Sequence, residues 1–133
     1  MSFDIFLTCF DNGKATALPM GFVSDAIGKF VSVRSPRSWS LSFPDGGAAE
    51  IDFGAGPDPS GFGVNRPPGN PEFWAGMLNI IRKTNSALYW AGEGWAIGRD
   101  DTIKQIPDRW IKAHGIPTKV SSVSELHDLI TRA

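Results

Sequence analysis

Glu50 and Asp52 are the pair whose type and spacing come nearest to chemistry. Two residues apart on an extended segment, their side chains share one face. Paired carboxylates run acid–base reactions when a cleft raises the pKa of one of them. Nothing in the surrounding residues supplies such a cleft. No lysine or arginine lies between Arg37 and Arg66, yet Asp45, Glu50, Asp52 and Asp58 all do. A second acidic group, Glu93, Asp100 and Asp101, follows later. Charged runs of this kind are ordinarily a solvated face. Their functional alternative is a docking patch for a basic protein, where charge speeds association and selects the partner.

The remaining reactive residue types give less. Cys9 is the only thiol, lies in a Phe-rich stretch and has no histidine near it in sequence. A nucleophilic thiol needs a base and an electropositive setting, so a buried structural cysteine is expected. His114 and His127 stand thirteen apart, near Asp108, Glu125 and Asp128, without the tight spacings of a metal site. Gly54-Ala-Gly56 and Gly61-Phe-Gly63 complete neither a dinucleotide fingerprint nor a P-loop, and turns explain them. No catalytic residue, metal site or cofactor is therefore assigned. Trp74, Trp90 and Trp110 read as core, and so, first, do Trp39 and Trp95. The latter two lie near turns and are also candidate interface anchors.

The elements that must carry these residues are those of one domain. The chain has 133 residues, of which 41% are hydrophobic and 20% charged, with a net charge of −1. That length buries a core without disulfides or metals. The near-zero charge argues against nucleic-acid or membrane binding driven by the whole surface. The N-terminus has no basic region ahead of an apolar core, and no apolar run approaches the ~20 residues of a membrane span. Cytoplasmic residence is the expectation. The 15 glycines and 10 prolines concentrate between positions 44 and 76 and mark turns.

The densest apolar segment runs from Asn70 to Trp95. Asn70 is an N-cap, Pro71 suits the first helical position and Glu72 faces the positive helix end. Phe73, Trp74, Met77, Leu78, Ile80 and Ile81 make a broad apolar face, and Gly76 within it implies close approach of a neighbour. Ser86–Trp90 reads as a buried strand, turned by Gly92-Glu93-Gly94 into Trp95–Gly98. Phe3–Phe10 is apolar on both sides, which predicts a central strand covered on both faces. Pro19–Phe30 reads as a helix with Pro19 at its first position, buried through Phe22, Val23, Ala26, Ile27 and Phe30. Val31–Arg34 is a short strand.

Trp39, Leu41 and Phe43 alternate with serines. After Pro44-Asp-Gly-Gly47, Ala49, Ile51 and Phe53 alternate with Ala48, Glu50 and Asp52. Period-two alternation on both arms of an Asp-Gly turn predicts a hairpin with one face inward. Short elements follow at Phe62–Asn65, Asp100–Ile106, Asp108–His114 and Thr118–Val120. Ser122-Val-Ser-Glu125 is a capping box opening a last helix. Hairpins interspersed with helices predict an α+β fold, with a mainly antiparallel sheet and three main helices.

Ser2–Leu7, Gly63-Val-Asn-Arg-Pro-Pro-Gly69, Pro71-Glu-Phe-Trp74 and Leu88-Tyr-Trp90 carry a resemblance that covers most of the chain. The chain resembles a family of small bacterial proteins regarded as immunity proteins of interbacterial toxin systems. The resemblance implies a non-enzymatic binder that occludes a toxin, and it carries no catalytic residues. On this reading Asp45, Glu50, Asp52, Asp58, Glu93, Asp100 and Asp101, with Trp39 and Trp95, meet a basic toxin domain. The alternative is a small enzyme or small-molecule binder, with Trp39, Trp95, Glu93 and Asp100 lining a pocket between sheet and helices.

Overall fold

Strand β1 (Asp4–Asp11) is the middle of the molecule, hydrogen-bonded on both edges. The computed structural model describes residues 4–90 and 94–131. A turn at Asn12 and Gly13, both at positive φ (51° and 78°), returns β1 into the short β2 (Lys14–Ala15). Two successive positive φ values match the right-handed twist of a hairpin. This two-residue strand is too short to show periodicity, and the sequence reading ends the strand at Gly13 instead.

Helix α1 (Met20–Ile27) runs into a 3-10 turn, Gly28–Phe30. Pro19 is its N-cap rather than its first helical residue, and Phe22 is 41% exposed instead of buried. Strands β3 (Val31–Arg34), β4 (Ser38–Ser42), β5 (Ala48–Asp52) and β6 (Gly61–Asn65) then form an antiparallel series that ends against β1. Helix α2 (Pro71–Lys83) crosses back, and β7 (Ser86–Trp90) pairs with the other edge of β1. β8 (Trp95–Ile97) and the parallel β9 (Thr118–Lys119) complete the sheet. Between them lie a 3-10 segment, Asp100–Gln105, and α3 (Asp108–His114); α4 (Val123–Thr131) closes the chain. The strand order is β3-β4-β5-β6-β1-β7-β8-β9, with β2 attached to β1. This is an α+β fold with one mainly antiparallel sheet. Among the described residues no helix is long and apolar enough to cross a membrane.

The inner face of the sheet carries the large core. Ile5, Leu7, Leu41, Ile51, Val64 and Leu88 pack there against Val23 and Ile27 of α1, the apolar face of α2 and Leu126 of α4. Full burial of such aliphatic side chains is worth about 1.5–3 kcal/mol each. Helix α2 starts where its caps put it: the side-chain Oδ1 of Asn70 accepts from the Phe73 N–H at 3.1 Å, with Pro71 next to it. Gly76 explains the closeness of α1. A Cβ built there would stand 2.5 Å from Ile27 Cγ2 and 3.4 Å from the Ala26 carbonyl oxygen. At the other end of α2 the Thr84 hydroxyl donates to the Ile80 carbonyl at 2.7 Å.

The outer face is covered over only part of its width. Phe10, Ala87, Trp95, Ile97 and Ile106 form a second cluster, closed by Trp110 and Ile111 of α3. That cover ends at Tyr89. β1 is central as expected, but its outer face is not covered throughout: Phe10 is buried while Phe6 is 41% exposed. Phe6, Glu50 and Asp52 stay exposed on the remainder of this face.

Candidate functional site

Register places the residues of the outer face in rows. Ser38 pairs with Asp52, Asp52 with Gly63, Gly63 with Phe6, Phe6 with Tyr89, and Tyr89 with Trp95. Because side chains alternate in direction along a strand, this row lies on the outer face throughout. One step away, Ser40 pairs with Glu50, and Asn65 with Asp4. The outer face therefore grades from serines through carboxylates to aromatic rings.

Two adjoining concavities open on this face. One, of about 380 Å³, is lined by Asp4, Phe6, Glu50, Asp52, Gly63 and Asn65. The other, of about 500 Å³, shares Phe6, Asp52 and Gly63 and adds Thr8, Asp58, Gly61 and Tyr89. Among the described residues no lysine or arginine lines either one. The glycines are a consequence of packing. A Cβ at Gly63 would meet the Phe6 ring at 3.2 Å, and one at Gly61 would collide with the Leu7 carbonyl. Phe6 leans over Gly63 on one side and stacks with Tyr89 on the other, centroids 5.5 Å apart and planes 25° from parallel. The Tyr89 hydroxyl is held by Thr8 Oγ1 at 3.1 Å, and its ring meets Trp110 edge-on. The aromatic ledge is thus fixed from below and from one side, while Phe6 keeps its exposed surface.

The carboxylates have few internal partners. Asp52 Oδ1 accepts from the Gly54 N–H at 2.8 Å. Asp4, Glu50 and Asp58 make no side-chain hydrogen bond or ion pair among the described residues. Glu50 and Asp52 are about 7 Å apart along β5, and Asp4 lies two strands from β5, about 10 Å away. A like-signed group this close, with no cation paired to it among the described residues, leaves its neutralisation to ions or to another molecule.

The other acidic residues named from the sequence fall elsewhere. Asp45 sits in the β4–β5 turn and is directed at α2: its Oδ1 accepts from the Gly47 N–H at 2.8 Å and from Asn70 Nδ2 at 3.0 Å. The Gly47 N–H first, and then Asn70, hold its carboxyl below the usual carboxylate range. It joins the hairpin to the helix and does not belong to the open face. Asp100 pairs with Lys119 at 3.3 Å and Asp101 with Arg99 at 3.9 Å. These acids lie by β8, four strands from β5, or roughly 19 Å at ordinary strand spacing. The two acidic groups therefore do not form one patch, because the strand order inserts β6, β1 and β7 between them. Glu93 lies outside the described residues.

Trp39 and Trp95 are 8% and 4% exposed, so neither anchors an exposed interface. Trp39 belongs to the inner core and Trp95 to the outer cluster, on opposite faces of the sheet, so no single pocket is lined by both. Arg34 stacks over Trp39, its guanidinium carbon 4.3 Å from the ring centroid, and closes that side. Cys9 is buried, and desolvation pushes its thiol up, away from the reactive thiolate. His114 is exposed and packs edge-on near Trp95 and Trp110. Among the described residues no three His, Cys, Asp or Glu side chains gather as metal ligands.

Sequence reasoning missed Asp4, Phe6, Gly63 and Asn65 as parts of the face. The available signal was the alternation itself: Asp4, Phe6 and Thr8 share the side of β1 opposite Ile5 and Leu7. Comparison with family models, with curated proteins and with solved structures gives no match.

Proposed function

We propose that this chain is a non-enzymatic protein-binding module, whose open outer sheet face docks a basic surface of its partner. The observation that carries this reading is that Asp4, Glu50, Asp52 and Asp58 share one face with the exposed ring of Phe6, and that among the described residues no lysine or arginine lines it. Carboxylates around an aromatic centre offer a partner charge for steering and apolar area for retention. The finer reading, an immunity protein that blocks a bacterial toxin by occluding its surface, rests on the sequence resemblance alone. Its mechanism would be steric and electrostatic, with the β5–β6–β1 face laid over a cationic active-site cleft.

The test is co-expression with the product of the adjacent gene, followed by co-purification and by charge reversal at Glu50→Lys. Co-purification that Glu50→Lys abolishes, while Asp101→Lys leaves it intact, supports the reading. A complex indifferent to Glu50→Lys, or no complex, counts against it. A small-molecule binder is the second reading, favoured by the same concavity of about 500 Å³. It would show binding of a low-molecular-weight ligand that the partner does not displace.

A further inference from the structure

We propose that the outer face is specific for arginine: a guanidinium from the partner stacks against Phe6 and pairs with the Asp52 carboxylate. The inference rests on the docking reading above and deepens it by naming the side chain recognised.

Three features of the face separate arginine from cationic charge in general. First, Gly63 stands between Asp52 and Phe6 in the same cross-strand row and carries no side chain. The ring leans across that gap, so the aromatic surface and the carboxylate border one space. A flat group enters a slot between a ring and a carboxylate more readily than a hydrated ammonium does. Second, both sides of the slot are set in advance. Stacking with Tyr89, itself tied to Thr8, holds Phe6. The Gly54 N–H on Oδ1 holds the Asp52 carboxylate and leaves Oδ2 without a partner among the described residues. Arginine gains most from such a site, because its fork presents two parallel donors to a carboxylate while its plane stacks. Third, the flanking acids Asp4, Glu50 and Asp58 add attraction, with no competing cation among the described residues that line the face. The same protein seats a guanidinium closely on an aromatic ring, Arg34 over Trp39 at 4.3 Å, and holds an ammonium further off, Lys29 over Phe30 at 5.1 Å.

The experiment uses the full chain, labelled with ¹⁵N, titrated separately with hexa-arginine and hexalysine peptides of equal length and charge. The proposal expects hexa-arginine to bind about five-fold tighter, from the stacking contribution. It also expects the largest shifts at the amides of Phe6, Gly63, Gly54 and Tyr89. Phe6→Leu should erase the preference while retaining binding of both peptides, and Asp52→Asn should weaken hexa-arginine more than hexalysine. Equal binding of the two peptides at this face by the native chain overturns the arginine site and leaves the docking face standing. No binding of either peptide at this face overturns both. Because the decisive comparison is made on the native chain, it does not depend on either variant folding.

Discussion

Asn70 Nδ2 donates to Asp45 Oδ1 at 3.0 Å, joining the turn of the β4–β5 hairpin to the N-cap of helix α2. The other end of the same amide caps that helix, accepting from the Phe73 N–H. One nearly buried side chain thus sets the angle between the helix that fills the inner core and the hairpin that carries Glu50 and Asp52 on the outer face. Asn70→Ala should cost about 1–2 kcal/mol of stability, the usual worth of an N-cap with its partner lost. Urea denaturation of the variant measures it.

The same contact makes a small pH signature. The Asp45 carboxyl is held below its ordinary value of 3.8, by the Gly47 N–H first and by Asn70 second. A depressed folded pKa means that the unfolded chain binds the proton more readily. The contribution is therefore fully present above the unfolded value and is lost as pH falls through the folded one. Native protein should lose stability below about pH 4 more steeply than Asp45→Asn, on urea curves collected from pH 6 down to pH 2.

Gly76 tests the packing of α1 on α2. Alanine gains about 1 kcal/mol over glycine in a helix interior. Here its Cβ would stand 2.5 Å from Ile27 Cγ2, a side chain with no exposed surface. Overpacking should win, and Gly76→Ala should destabilise by about 1–3 kcal/mol. A melting temperature at or above that of the native chain would show that the helices separate without cost.

The open face should show the opposite balance between stability and binding. Glu50 and Asp4 stand near each other with no ion pair to a cation among the described residues, so neutralising either removes repulsion. Glu50→Gln and Asp4→Asn should leave stability unchanged or raise it by about 0.3 kcal/mol. Each should weaken binding to a basic partner, chiefly through the association rate and most visibly at low salt. Thermal melts and stopped-flow association at two salt concentrations separate the effects.

How far these features could be read in advance varies from element to element. The β4–β5 hairpin is legible because Trp39, Leu41, Ala49 and Ile51 recur at every second position on the two arms of an Asp-Gly turn. Helix α2 is legible because Asn70, Pro71 and Glu72 announce its start, and seven of its residues are buried. The state of the outer face is not local information. Phe6 and Phe10 are identical in type and lie on the same side of β1, yet one is open and the other buried. What separates them is α3, about a hundred residues further on, whose Trp110 reaches Phe10 and stops at Tyr89. Likewise the distance between Glu50 and Asp100 depends on which strands are inserted between β5 and β8. Pairing order of that kind leaves no trace in periodicity.

The most direct test of the docking face is chemical-shift mapping of the ¹⁵N-labelled chain with hexalysine, a cation with no plane to stack. Perturbations centred on Asp4, Glu50, Asp52, Gly63 and Asn65, fading as salt screens the charges, are the predicted result. Perturbations centred on Asp100 and Asp101, or spread evenly over the surface, would contradict the account.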